Sequence, residues 1–354
     1  MKKIKLFAIL CGLLMLGQHV SAQKIAIIKG YNGEMSAAIV SRVKYATFFA
    51  DSNWFDISNG SVEKIEEYRL TASVTVGFAA NSGLNKMATT PKVGICYQRG
   101  NLEPKIEVDE CYPLGCELKD YEFTLKFLAP GTTYSFRAYI KLDNDVFYGP
   151  VNTATTLGDK PASNGRYRIV NGHKFIDLGL PSGRLWATCN IGAEMPTDRG
   201  DSFAWGETEP KLHYDCSNYK YGNSEQGDVY EYNLNDKKKI LETEDDAAYV
   251  NWGSKCHVPK YEDFEELLNS DNCTWYSTYM PTYTGENVEG YMIVSNKNHN
   301  SIFLPTSYSK EGYWSSCSMN NRFAYALKQY DDRRSCHTKG TEKYLGLFIR
   351  PVVY

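Results

Sequence analysis

The pattern that most constrains this chain is a period of two. Leu70, Ala72, Val74, Val76 and Phe78 alternate with Thr71, Ser73 and Thr75, so a strand here carries one apolar face and one hydroxylated face. Val93, Ile95 and Tyr97 repeat the alternation, as do Tyr121, Phe123, Leu125 and Phe127, and then Tyr134, Phe136, Ala138 and Ile140. Short alternating runs separated by Gly, Pro and Asn clusters predict a β-sandwich over residues 68–157. Within it, Leu128-Ala-Pro-Gly-Thr-Thr-Tyr134 starts a strand with a tyrosine whose buried hydroxyl must be met by backbone upstream, the pattern of a tyrosine corner.

Ahead of the sandwich, Lys2, Lys3 and Lys5 precede an apolar run from Leu6 to Leu16, and Val20-Ser21-Ala22 offers a small-residue cleavage site. Residues 1–22 therefore read as a secretory signal peptide, too short in its apolar run for the about 20 residues a membrane helix needs. Leu10 stands where a lipoprotein signal before Cys11 wants a small residue. Residues 23–67 hold a brief apolar run, Ile25 to Ile28, and aromatics at Phe48, Phe49, Trp54 and Phe55, without a sustained period. Their type stays open between a short module and a first strand packed on the sandwich.

The 332 residues that remain after the signal (354 − 22) suffice for two domain cores, and no later segment is apolar enough to span a membrane. With 39 basic residues against 42 acidic ones, the chain lacks the basic excess that a phosphate backbone demands, so nucleic acid is not the expected partner. Ten cysteines less Cys11 leave an odd number in an exported chain, so at least one thiol is unpaired or intermolecular. No C-x-x-C occurs and the six histidines are scattered, which gives a structural zinc site no support. Cys111 and Cys116 flank Tyr-Pro-Leu-Gly, read as a turn, and are the disulfide candidate.

Residues 158–165, rich in Gly, Pro and polar side chains, read as a linker to a larger unit over 166–354. That unit opens with Phe175-Ile-Asp-Leu-Gly-Leu-Pro-Ser-Gly-Arg-Leu-Trp-Ala-Thr-Cys189, a β-hairpin whose loop exceeds the tightest type. Asp201 to Pro210 then sets Phe203 and Trp205 among Glu207 and Glu209. The run reads as an oxygen-rich calcium loop, a sugar-stacking surface, or core aromatics beside solvated acids. Residues 211–241 carry Tyr214, Tyr219, Tyr221, Tyr230 and Tyr232 in what reads as a long surface loop, and tyrosine supplies stacking area at low entropic cost. With Trp205, Glu207 and Trp314 they are the ligand-binding candidates. Glu242, Glu244, Asp245 and Asp246 could start a calcium site but not complete its six to eight oxygens; equally they are acids at a helix N-terminus. No other cofactor is expected. Val258 to Leu268 is the clearest helix, with Tyr261, Phe264, Leu267 and Leu268 on one face, and Arg350 reads as a structural contact joining the domain's ends.

The opening hairpin, with Phe203-Ala-Trp-Gly-Glu-Thr-Glu-Pro-Lys211, Asp245-Asp-Ala-Ala-Tyr-Val-Asn-Trp-Gly253, Asn272-Cys-Thr-Trp275, Asn300-Ser-Ile-Phe-Leu-Pro305, Gly312-Tyr-Trp-Ser-Ser316 and Ile349-Arg-Pro-Val352, resembles the Fibrobacter succinogenes major paralogous domain. That resemblance implies an exported protein of the Bacteroidetes and a fold related to C-type lectins and formylglycine-generating enzymes. Residues 68–157 resemble a fibronectin type III domain, a family of spacers and binding platforms. The expected fold is thus mainly β, a fibronectin III-like β-sandwich followed by a C-type-lectin-like α+β domain with long loops. Around the helix the chain departs from the second family's pattern, with Cys256-His257-Val258 before the proline, Lys260 at the cap and Phe264 for a tryptophan.

Three functions compete on these grounds. The first is a non-enzymatic binding or adhesion-type protein for glycan or protein in the periplasm, on the outer surface or secreted, with loops 199–241 and 306–321 as contacts. The second is a structural subunit of a cell-envelope or pilus-like assembly, which an odd cysteine and edge strands would suit. The third is an oxidase like the formylglycine-generating enzymes. It would need Cys317 and Cys336 brought together in an activating environment.

Overall fold

The computed structural model describes residues 25–29, 35–39, 54–80, 82, 86–87, 89–143, 145–159, 167–223, 226, 228–306, 312–329 and 336–354. The signal segment 1–22, most of the 158–165 linker and residues 307–311 lie outside them; Tyr313–Ser318, within the stretch 306–321 expected as a contact loop, is a mostly buried strand instead. The chain is mainly β, in several antiparallel sheets.

Strands β1 (Ile25–Lys29) and β2 (Met35–Ile39) pair antiparallel. The sandwich begins with β3 (Phe55–Ile65), inside the segment whose type the sequence left open, because β3 pairs along its length with β4 (Arg69–Phe78). The short β5 (Lys86–Met87) joins β2 in parallel. The remaining sandwich strands are β6 (Lys92–Arg99), β7 (Glu110–Gly115), β8 (Asp120–Lys126), β9 (Thr133–Leu142), β10 (Asp145–Tyr148) and β11 (Asn152–Thr155). One sheet runs β3-β4-β8; the other runs β10-β9-β6-β7, with β11 continuing the β10 edge against β9. The two sheets pack face to face as a β-sandwich. Leu70, Ala72, Val74, Val76 and Phe123 of one sheet meet Ile95, Phe136 and Ile140 of the other, each burial contributing roughly 1.5–3 kcal/mol for the larger side chains. Tyr134 is buried at the start of β9, and its hydroxyl accepts the Ala129 N–H at 2.8 Å.

The second domain contains β12 (Arg168–Val170), β13 (His173–Asp177), β14 (Leu185–Ala187), β15 (Gly222–Asn223), β16 (Asp228–Val229), helix α1 (Ala247–Trp252), β17 (Cys256–His257) and helix α2 (Tyr261–Leu268). Then come β18 (Cys273–Pro281), β19 (Asn287–Ser295), β20 (Ser301–Pro305), β21 (Tyr313–Ser318), β22 (Phe323–Gln329), β23 (Cys336–Glu342) and β24 (Val352–Val353). The expected hairpin is β13–β14, pairing Phe175 with Ala187 and Ile176 with Trp186. Gly183 turns its loop at φ 71°, a conformation that side chains with a Cβ resist. The sheet order β12-β13-β14-β24-β17 sets the last strand of the chain between two early ones, which closes the domain. Arg350 is fully buried and donates to the carbonyls of Ala187, Thr188 and Phe303 and to Asn190 Oδ1, tying β14 to β20. Side chains of one strand pack on both sides of this sheet: Phe175 belongs to one apolar cluster, Ile176 to another with Phe264 and Leu267 of α2. Among the described residues no helix is long and apolar enough to cross a membrane.

Candidate functional site

The tyrosine-rich stretch is not a display surface. Tyr219, Tyr221 and Tyr232 are buried, as are Trp205, Glu207 and Trp314, so these six ligand-binding candidates belong to the interior. Each aromatic finds an inward partner for its polar atom: Tyr219 donates to Trp205 O at 2.8 Å, Tyr221 to Gly206 O at 2.9 Å, and Tyr232 to Asp245 Oδ2 at 2.6 Å. The indoles exchange bonds in the same region, Trp205 Nε1 to Ser315 O at 2.8 Å and Trp314 Nε1 to Phe203 O at 2.7 Å. A phenol or indole with its polar atom satisfied gains from burial, and that reverses the expectation of exposure. Tyr214 is half-buried and donates to Ser202 O, which leaves Tyr230, 72% exposed, as the one tyrosine of the five that stands in solvent.

The acids sort by their partners. Glu207 accepts from Lys211 Nζ at 2.7 Å and from the Lys220 N–H at 2.7 Å, so it is a structural anchor of the loop. Glu242 and Asp245 do converge, with Glu231 as a third carboxylate that the sequence pattern did not single out. Lys238 Nζ already bridges Glu231 and Glu242 at 2.6 Å each, and Lys220 Nζ lies 2.5 Å from Asp245 Oδ1. Ammonium groups thus stand where a calcium ion would take its oxygens. Burial alone would raise the Asp245 carboxyl, but hydrogen bonds from Lys220, Tyr221 and Tyr232 outweigh it and hold its pKa below the usual value. Glu244 is exposed and apart from the cluster. Asp246 caps α1, accepting the Ala248 and Tyr249 N–H groups at 2.9 and 3.1 Å, which is the helix-terminus role.

The thiol expectations also change. Cys111 and Cys116 are free, and Tyr-Pro-Leu-Gly between them is extended strand β7, not a turn. Five residues of extended chain separate the two Cα atoms by about 16 Å, well beyond the reach of a disulfide. Cys317 on β21 and Cys336 at the start of β23 flank β22 and lie several residues apart along it, Cys336 opposite Gln329 and the neighbouring Ser318 opposite Ala324. Their backbone positions do not bring them together as a pair.

What the fold does assemble is a cleft of about 80 Å³ between the two domains. The sandwich contributes Tyr97, Arg99, Glu110, Tyr112 and Phe127; the second domain contributes Tyr167, Tyr279, Met280, His299 and Phe303. Cations fix the junction. Arg99 of β6 donates to Asn298 O at 3.0 Å and His299 O at 2.9 Å, while Lys174 of β13 reaches back to Ile106 O and Asp109 O at 2.5 and 2.6 Å. Tyr139 and Tyr283 share a hydroxyl contact across the boundary, and Lys92 pairs with Glu194 at 3.0 Å. His299 adopts φ 56° while offering its carbonyl to Arg99, a left-handed conformation held by the contact.

In the cleft, burial raises the Glu110 carboxyl, while hydrogen bonds from Tyr97 and Tyr167 and the charges of Arg99 and Lys174 oppose the shift. Burial and Arg99 lower His299, which favours its neutral ring. Phe127, which lines the cleft and is also at positive φ, turns its ring to Tyr276 at 5.3 Å, while Tyr279, 49% exposed, lies at the rim. Chemically the arrangement is an aromatic-rimmed hollow with a carboxyl, a guanidinium and phenols inside, suited to holding a polar group with an apolar face. Tyr97 and Phe127 were visible in the alternation, but nothing in the sequence announces which face of the sandwich another domain will cover.

No family model and no curated protein matches the chain. Among solved structures, the sensor domain of the anti-sigma factor RsgI4 in Pseudobacteroides cellulosolvens is similar in part. A short form is 18% identical over 31% of this chain and 100% of its own, at TM-score 0.23. The solution structure is 21% identical over 29% and 75%, at 0.23, and a long form is 20% identical over 33% and 99%, at 0.21. TM-scores this low assign neither fold nor function.

Proposed function

We propose that this chain is an exported, non-enzymatic binding or adhesion-type protein whose ligand, the end of a glycan or an exposed group of another protein, docks at the boundary between its two domains. The single observation that carries the reading is the interdomain cleft lined by the half-exposed Tyr279, with Glu110 and Arg99 within. Aromatic faces stack on the apolar side of a sugar ring or a side chain, and a few convergent polar groups fix its orientation. The resemblance to the major paralogous and fibronectin type III families, the signal-like N-terminus and the near-balanced charge support the same reading.

The test is a glycan array probed with the full-length chain beside a Tyr279→Ala variant. We expect selective signals that weaken about 10-fold in the variant, the loss of one stacked ring. Absence of any glycan signal, with recovery of the chain as a stoichiometric component of envelope fractions, would replace this reading by the structural-subunit one. Copper-dependent oxygen consumption on a cysteine-containing peptide would replace it by an oxidase.

A further inference from the structure

We propose that Cys96 and Cys111, both free thiols in this structure, close in the exported chain, whose export rests on the reading above, as a cross-strand disulfide that fastens the outer strand of the larger sandwich sheet and fixes one wall of the interdomain cleft. The register of β6 against β7 sets Cys96 directly opposite Cys111. In the same register Gly94 faces Pro113, which has no N–H to donate, so that pair is a non-hydrogen-bonded one. Alternation along an antiparallel ladder then makes Ile95–Tyr112 a bonded pair and Cys96–Cys111 again a non-bonded one. At such positions the Cα atoms approach to about 4.5 Å, inside the window that a disulfide spans.

The side chains agree with the backbone. Ile95 and Tyr97 enter the sandwich core, so Cys96 between them lies on the opposite face, and Cys111, its cross-strand partner, shares that face. Both sulfurs sit beneath one short stretch of chain, Cys96 Sγ 3.5 Å from Pro104 O and Cys111 Sγ 3.8 Å from Ile106 O. Among the described residues, no cysteine stands in comparable register to Cys116 beyond the end of β7.

Timing follows from burial. Cys96 is fully enclosed, and burial first, with Cys111 second, raises its thiol, so a reduced pair in the finished fold would ionise and react slowly. The bond therefore forms before residues 100–109 cover it. One thiol, as its thiolate, attacks an external disulfide of the exported compartment, and the second thiol then displaces that adduct. Two protons and two electrons leave the cysteines, one S–S bond forms, and the external disulfide is reduced to two thiols. The consequence is mechanical: β7 is a sheet edge, and its Glu110 and Tyr112 line the cleft.

The experiment is peptide mapping without reductant of the full-length chain exported into a bacterial periplasm and alkylated under denaturing conditions. The expected result is one peptide pair joining Cys96 to Cys111, lighter by two hydrogens than the reduced pair and released by a dithiol, with Cys116 alkylated throughout. A Cys111–Cys189 or Cys111–Cys116 linkage, or alkylation of both Cys96 and Cys111 in the exported protein, overturns the proposal. Cys96→Ser and Cys111→Ser should each speed tryptic cleavage within residues 100–109 several-fold, and Cys116→Ser should not. Should those variants fail to fold, the wild-type map decides alone.

Discussion

Lys343 is a buried cation whose ammonium has a backbone carbonyl, Tyr232 O at 2.9 Å, and the face of Trp205 at 4.6 Å. Burial lowers its pKa from 10.5 to about 8. A lysine that titrates lower in the fold than in the unfolded chain destabilises while charged, because the unfolded chain holds the proton more tightly. Its cost is therefore fully present below pH 8 and disappears as pH rises through 8 toward 10.5. A gap of one pH unit between the folded and unfolded values corresponds to about 1.4 kcal/mol, so the difference amounts to about 3 kcal/mol, from which the lost carbonyl bond subtracts about 1 kcal/mol when the ammonium is removed. Lys343→Met should accordingly raise stability by about 1–2 kcal/mol at pH 7. It should also flatten the rise that the parent shows between pH 8 and 10.5, read by urea unfolding across that range. A variant less stable than the parent at both pH values would mean that the carbonyl and ring contacts outweigh the buried charge.

The opening hairpin and helix α2 form a unit larger than either. Arg184, in the hairpin loop, lies 2.5 Å from Asp263 Oδ1, and Ser182 donates to Glu266 Oε2 at 2.7 Å. Asp263 also accepts the Lys260 N–H at 2.7 Å, so one carboxylate caps the helix and docks the hairpin. Asp263→Ala should cost about 2–4 kcal/mol in thermal or urea unfolding, more than a cap alone, since it leaves Arg184 without its buried partner. Glu262→Ala, a neighbour on the solvent side, should cost under about 0.5 kcal/mol. The sequence made this hairpin and helix legible because periodicity reports which face of an element is apolar. It could not report the tyrosines of residues 211–241, since the same residue type suits a binding surface and a core whose hydroxyls have carbonyl partners. Pro113 misled for a related reason: proline marks turns, yet it also fits a sheet-edge strand whose missing N–H would have faced outward. The cleft was illegible because it belongs to no element; it exists only where two domains meet.

At the scale of the molecule, the cleft depends on how the domains are coupled, and that coupling is unequal among its contacts. Arg99 carries two of its guanidinium nitrogens to consecutive carbonyls of the other domain and a third to Tyr134 at 3.3 Å, a fork that a lysine cannot reproduce. Lys174 makes the reciprocal reach to Ile106 O and Asp109 O. These bonds are sheltered, and removing their cations strips carbonyls of charge-assisted donors worth roughly 1.5–3 kcal/mol each. Lys92–Glu194 is different: both side chains are largely exposed, and such pairs contribute about 0–1 kcal/mol. In scanning calorimetry the parent should unfold in one merged transition. Arg99→Lys combined with Lys174→Ala should split it in two and raise the radius of gyration in solution scattering, whereas Lys92→Ala should do neither. If the double variant kept one transition and an unchanged radius, apolar contacts such as Phe127 on Tyr276 would be the coupling, and the rim would be structural before it is a site.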